Sequence, residues 1–88
     1  MALEYSIYQY HEIATNCDDL VNNGVYSLKP GATNSPRSGV WVDVIVLITN
    51  GSNQYVAQLA VSVERDIHVY ARCLFGGIWS AWRTLAFA

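Results

Sequence analysis

The stretch from Trp41 to Thr49, Trp-Val-Asp-Val-Ile-Val-Leu-Ile-Thr, places the strongest constraint on this chain. Side chains alternate across a strand, so Val42, Val44, Val46 and Ile48 fill one face while Ile45 and Leu47 fill the other. Both faces need cover. A single thin sheet covers one side only, so the second face is expected to lie under a helix or against a neighbouring copy. Asp43 is the one charge in the run and would be costly if buried without a partner. It is expected near an edge, bonded or hydrated.

Other strands follow from Val, Ile, Tyr and Trp enrichment between clusters of Gly, Pro, Asn and Ser: Val25 to Leu28, Gln54 to Val63, Ile67 to Phe75 and Ile78 to Ala86. Before them, Asn16 can cap, Asp18 and Asp19 suit a first helical turn, and Asn23-Gly24 can stop it, which predicts one short helix or helical turn. Tyr5, Ile7, Tyr8, Tyr10 and Ile13 show no clean period. Residues 1–16 read as an extended lead-in, and 17–88 as a small antiparallel β knob or sandwich. At 88 residues a second domain is excluded.

The connections carry their own chemistry. Lys29 to Gly39 holds both prolines and two of the six glycines, which predicts a long surface loop. Asn50-Gly51 reads as a tight reversal, Glu64-Arg65-Asp66 as a charged turn, and Gly76-Gly77 as a two-residue hairpin loop. That hairpin predicts the pairs Phe75 with Ile78, Leu74 with Trp79, Arg72 with Ala81, Ala71 with Trp82 and Tyr70 with Arg83. In this register Ile67, Val69, Ala71, Cys73, Phe75, Ile78 and Trp82 share the core face. The opposite face collects His68, Tyr70, Arg72, Leu74, Trp79, Ala81, Arg83 and Leu85 and is expected to meet a ligand or subunit. Tyr70 beside Arg83 would add about 0.5–1 kcal/mol as an exposed cation–π pair. Trp79 is expected to be partly exposed and Trp82 buried.

Only 14% of residues are charged, five Lys+Arg against seven Asp+Glu, for a net charge of −2. Such a chain leaves much of its exterior neutral or apolar, which favours self-assembly, and it lacks the clustered cations that phosphate binding needs. Nucleic acid is not an expected partner. The start lacks a basic, then apolar, signal pattern, and the longest aliphatic run is far short of the ~20 residues that span a bilayer. The chain is expected to be soluble and made in a cytoplasm. Cys17 and Cys73 lack the density of a disulfide framework and read as two buried free thiols, with a bridge from the front of the chain to the last hairpin as the open alternative. His11, Cys17, His68 and Cys73 lack ligand-pair spacing for zinc, and His68 and Cys73 have opposite parity. Glu64, Asp66 and His68 alternate as solvated turn charges rather than as a general base, and no nucleophile stands near a convincing base. No metal, cofactor or enzymatic activity is expected.

The order Asp19-Leu20, Asn23-Gly24-Val25-Tyr26, Gly31-Ala32-Thr33-Asn34-Ser35-Pro36, Val44 to Leu47, Ile67 to Arg72 and Gly77-Ile78-Trp79-Ser80-Ala81-Trp82-Arg83-Thr84-Leu85 resembles the pyocin knob domain of bacteriophage and R-type pyocin tail fibres. The likeness covers about residues 17–86. It implies a mostly β knob within a trimeric fibre of a virion or phage-tail-like particle, helping it contact a bacterial surface. Known fibres are long chains with shafts, so this one is expected to be a separately made small virion protein or a piece of a fibre. A bacterial surface polysaccharide would need flat aromatic surfaces with polar neighbours, and Tyr70, Arg72, Trp79 and Arg83 are the candidates for that site. The alternatives are a small assembly protein that binds a larger fibre chain and a free lectin-like glycan-binding module.

Overall fold

The computed structural model describes residues 12–86. The apolar lead-in residues Tyr5, Ile7, Tyr8 and Tyr10 lie outside them, as does His11. The described chain is mostly β, a single curled half-barrel sheet. Its strands are β1 (Glu12–Asn16), β2 (Gly24–Thr33), β3 (Val42–Thr49), β4 (Ser52–Val63), β5 (Ile67–Phe75), β6 (Ile78–Trp79) and β7 (Arg83–Leu85). The order is β1-β2-β3-β4-β5-β6, with β7 pairing along β5 beyond β6. Pairing is antiparallel except for β1 on β2. Among the described residues the fold is thus one mixed sheet, without the second sheet of a sandwich.

The expected helix is a single 3-10 turn, Cys17–Asp19, and Asn16 caps it by accepting from the Asp18 amide at 3.0 Å. Two backbone bonds close it: the Leu20 amide donates to Cys17 and the Val21 amide to Asp19. The turn packs into the concave side of the sheet.

Two hairpins form at the expected sites. Asn50 and Gly51 both take positive φ, as do Gly76 and Gly77, which two-residue loops of the primed type require. The two loops lie together, since the Gly77 amide donates to the Gln54 carbonyl. Three expectations need correction. β2 runs through Pro30 to Thr33, because beyond Leu28 it pairs with β1 alone and the proline lies off the β3 ladder. The surface loop therefore begins after Thr33. Asp43 is on an interior strand of the sheet; it is exposed on the outer face and accepts from Ser27 Oγ at 2.7 Å.

The third correction concerns the last hairpin. Phe75 pairs with Ile78 and Leu74 with Trp79 as expected, but Ala71 then pairs with Arg83, Tyr70 with Thr84 and Val69 with Leu85. One extra residue within Ser80-Ala81-Trp82 makes a bulge that breaks the expected continuous strand. Its local bonds are the Ser80 amide to the Cys73 carbonyl at 2.8 Å and the Cys73 amide to Ser80 Oγ at 3.0 Å. The shift turns Trp82 to the inner side and Arg83 to the outer side.

The core is the concave face, formed by Leu28, Val42, Val44, Val46, Val56 and Ala60 with Cys17 and Leu20 from the turn. Tyr70 and Leu74 complete it from β5. The expected assignment of faces on β5 is therefore reversed: Tyr70, Arg72 and Leu74 point inward, while Ile67, Cys73 and Phe75 are exposed. Both cysteines are free, with only Cys17 buried.

Candidate functional site

Three of the four residues expected to bind glycan share the inner face, and two of them, Arg72 and Trp79, meet there. Tyr70 and Arg72 are buried, at 7% and 8% exposure, and Trp79 is half-buried opposite Leu74. Arg83 points outward opposite Ala71, so it does not pair with Tyr70. The Arg72 guanidinium lies 3.8 Å from the centre of a Trp79 ring and 4.7 Å from that of a Trp82 ring. Trp82 is also half-buried rather than fully buried, and its Nε1–H donates to the Asn34 carbonyl at 3.0 Å.

The polar edge of Arg72 is equally occupied. Its Nε donates to Gln58 Oε1 and its Nη2 to Asp18 Oδ1, both at 2.8 Å. Gln58 is fully buried, and its Nε2 donates to the Cys17 and Leu20 carbonyls at 2.9 Å each. Cys17 Sγ donates to Gln58 Oε1 at 3.3 Å. A buried amide thus satisfies two backbone carbonyls of the 3-10 turn, a thiol and a guanidinium. Burial pushes the Cys17 thiol up to about 11, against a smaller opposing effect of Arg72. It stays protonated near neutral pH and is a poor nucleophile. With rings beside its plane and acceptors on its edge, Arg72 is committed to the fold. Sequence reading missed Gln58, whose signal was a lone amide at a core parity between Val56 and Ala60.

A second cluster pins the loop after β2 to the β4–β5 turn. Arg37 Nε and Nη2 donate to the two carboxylate oxygens of Glu64 at 2.5 and 3.0 Å, and His68 Nε2 lies 3.8 Å from Glu64 Oε2. The Arg37 hydrogen bonds hold the Glu64 carboxyl below its ordinary value. The Glu64 amide donates to the Asp66 carbonyl at 3.0 Å and closes the turn, and the Asp66 carboxylate accepts from the Ile67 amide at 2.8 Å. Among the described residues, no three His, Cys, Asp or Glu side chains gather as a metal site.

The outer face is of a different kind. Cross-strand register aligns Val25, Ile45, Leu59, Ala71 and Arg83 in one row and Ser27, Asp43, Val61, Val69 and Leu85 in the next. Phe75 and Val63, 71% and 75% exposed, extend the face toward either end of the strands. A shallow cavity of about 200 Å³ opens on it between Trp41, Asp43, Val61 and Val63. A larger cavity, about 330 Å³, lies along β1 and the 3-10 turn, lined by Ala14, Asn16, Asp19 and Tyr26 among others. It holds no facing pair of acid and base.

Compared with known proteins, the chain matches no family model, no curated protein and no solved structure.

Proposed function

We propose that this chain is a tail-fibre-type structural and receptor-binding module, a homotrimer of the virion that contacts bacterial surface polysaccharide without catalysis. One observation carries the assembly half of this reading: the outward parity of β3, β4 and β5 is almost wholly apolar and uncovered. A face of that extent marks an interaction surface. The resemblance to the pyocin knob supports the receptor half. Among the expected glycan residues Trp79 is the best placed, because it is half-buried on a short strand at the sheet edge, and Trp82 adds a second half-buried ring. Such rings suit stacking on apolar sugar faces.

Sedimentation velocity across a dilution series, with labelled-protein binding to bacterial cells, tests both halves. The wild type is expected to remain assembled in the micromolar range. Trp79→Ala is expected to remain assembled while cell binding falls about tenfold. A monomer throughout overturns the assembly half. Cell binding that is absent in the wild type, or unchanged by Trp79→Ala, overturns the receptor half.

A further inference from the structure

Asn34, the first residue after β2, ties together the two ends of the strand order. Its Nδ2 donates to Asn16 Oδ1 at the end of β1 at 3.2 Å, and its carbonyl accepts from Trp82 Nε1 in the β6–β7 bulge at 3.0 Å. Residues 34–39 therefore form an arch over the open side of the curled sheet. Both feet of the arch have left-handed backbone, Asn34 at φ 60° and Gly39 at φ 79°, a region these two residue types enter and leave readily. The middle is stiffened by Pro36 and by Ser35, whose Oγ donates to the Arg37 carbonyl at 3.1 Å and accepts from the Arg37 amide at 3.4 Å. A stiff piece between two pivots moves as a body. The fork from Arg37 to Glu64 holds it down, and with side chains 42% and 30% exposed such an ion pair is easily broken.

Resting on the receptor reading above, we infer that residues 34–39 are a strap that regulates the ring site: latched at Glu64 it holds the Trp82 indole N–H, and released it yields that N–H and the ring edge to a hydroxyl-bearing ligand. The coupling is mechanical. The Asn34 carbonyl belongs to the rigid peptide that leads into the arch, so rotation about Asn34 ψ lifts the arch and carries the acceptor away from Trp82 in one movement. The platform beneath does not depend on the strap. Arg72 lies against the Trp79 and Trp82 rings and is fixed by Gln58 and Asp18, none of which belongs to the arch. Only the cover moves. Closed and open forms exchange, the ligand binds the open one, and apparent affinity scales with the open fraction.

The experiment reads one opening step in three ways for the wild type and Glu64→Gln: trypsin cleavage after Arg37, hydrogen exchange of the Trp82 indole N–H by NMR, and binding of labelled protein to bacterial cells. Arg37→Gln breaks the latch from its other side and is read by indole exchange and cell binding. Loss of an exposed forked pair is expected to raise the open fraction about fivefold. Cleavage, exchange and cell affinity should rise by that same factor, since each tracks the open fraction. Urea midpoints and exchange of the Val44 and Val46 amides should stay unchanged; an equal rise at those amides means global unfolding and overturns the strap. Indole exchange unmoved in both variants overturns the coupling while leaving the receptor reading standing. Faster cleavage and exchange with unchanged cell affinity overturns the gating role alone. Cell binding absent from the wild type and from both latch variants overturns the receptor reading and the gating role with it, whereas cleavage and exchange still decide the coupling.

Discussion

The inner and outer faces of the sheet share the same strands and are sorted in opposite ways. On β4, Gln58 and Leu59 are adjacent: the amide is fully buried and the leucine is exposed. The amide sits inside because every polar atom it carries there has a partner, two of them backbone carbonyls of the 3-10 turn. The leucine is outside because its row, from Val25 to Arg83, has nothing of the described chain over it. Burial within one chain therefore follows satisfaction of hydrogen bonds as much as hydropathy. An apolar parity identifies a face that needs cover, and the cover need not come from its own chain.

The sharpest way to break this contrast is Gln58→Leu, a polar-to-apolar change in a core that takes the amide partner from the Leu20 carbonyl and from Arg72 Nε, while the Cys17 carbonyl keeps only the Leu20 amide. Each orphaned buried group costs about 1–3 kcal/mol, so a loss of about 4 kcal/mol is expected in urea unfolding. A change below 1 kcal/mol would mean that the amide is not what holds the turn.

A smaller effect, of order 1–3 kcal/mol, is expected from alkaline pH through Cys17. Its folded-state value is raised from 9.0 to about 11, so the folded chain holds the proton that the unfolded chain releases. The stability involved is complete below pH 9 and lost as pH rises from there toward 11. Unfolding midpoints of the wild type and Cys17→Ala between pH 7 and 11 should converge as pH rises. Parallel curves would remove this role.

The smallest effect belongs to the outer neighbour. Leu59→Ser should change the stability of the dissociated chain by no more than about 0.5 kcal/mol, as expected of a surface substitution. Urea titration well below the dissociation constant reads this directly. A loss of 2 kcal/mol there would show that Leu59 is covered by its own chain.

Much of the fold was legible because turn chemistry is local. Asn50-Gly51 and Gly76-Gly77 need only their own positive φ to be recognised, and the β3, β4 and β5 strands between them follow. The candidate site was less legible, for two physical reasons. The bulge at Ser80-Ala81-Trp82 has no glycine or proline to announce it, yet one added residue moves Trp82 to the face of Arg72 and sets Arg83 opposite Ala71. The face reversal on β5 depends on Gln58 and Asp18, whose bonds to Arg72 cross 14 and 54 residues of sequence. Parity showed which residues travel together, but not which set turns inward. The parallel seat of β1 on β2 likewise has no local signal in Glu12 to Asn16.

The glycine turns of the β3–β4 and β5–β6 hairpins gather at one tip of the strands, and the Glu64-Arg65-Asp66 turn, bound by Arg37, occupies the other. A body so made has a sense of direction: dissolved ions act on one extremity and leave its opposite indifferent. Copies standing abreast in the same sense would hold that difference in register, giving any larger particle built on them a fixed way up.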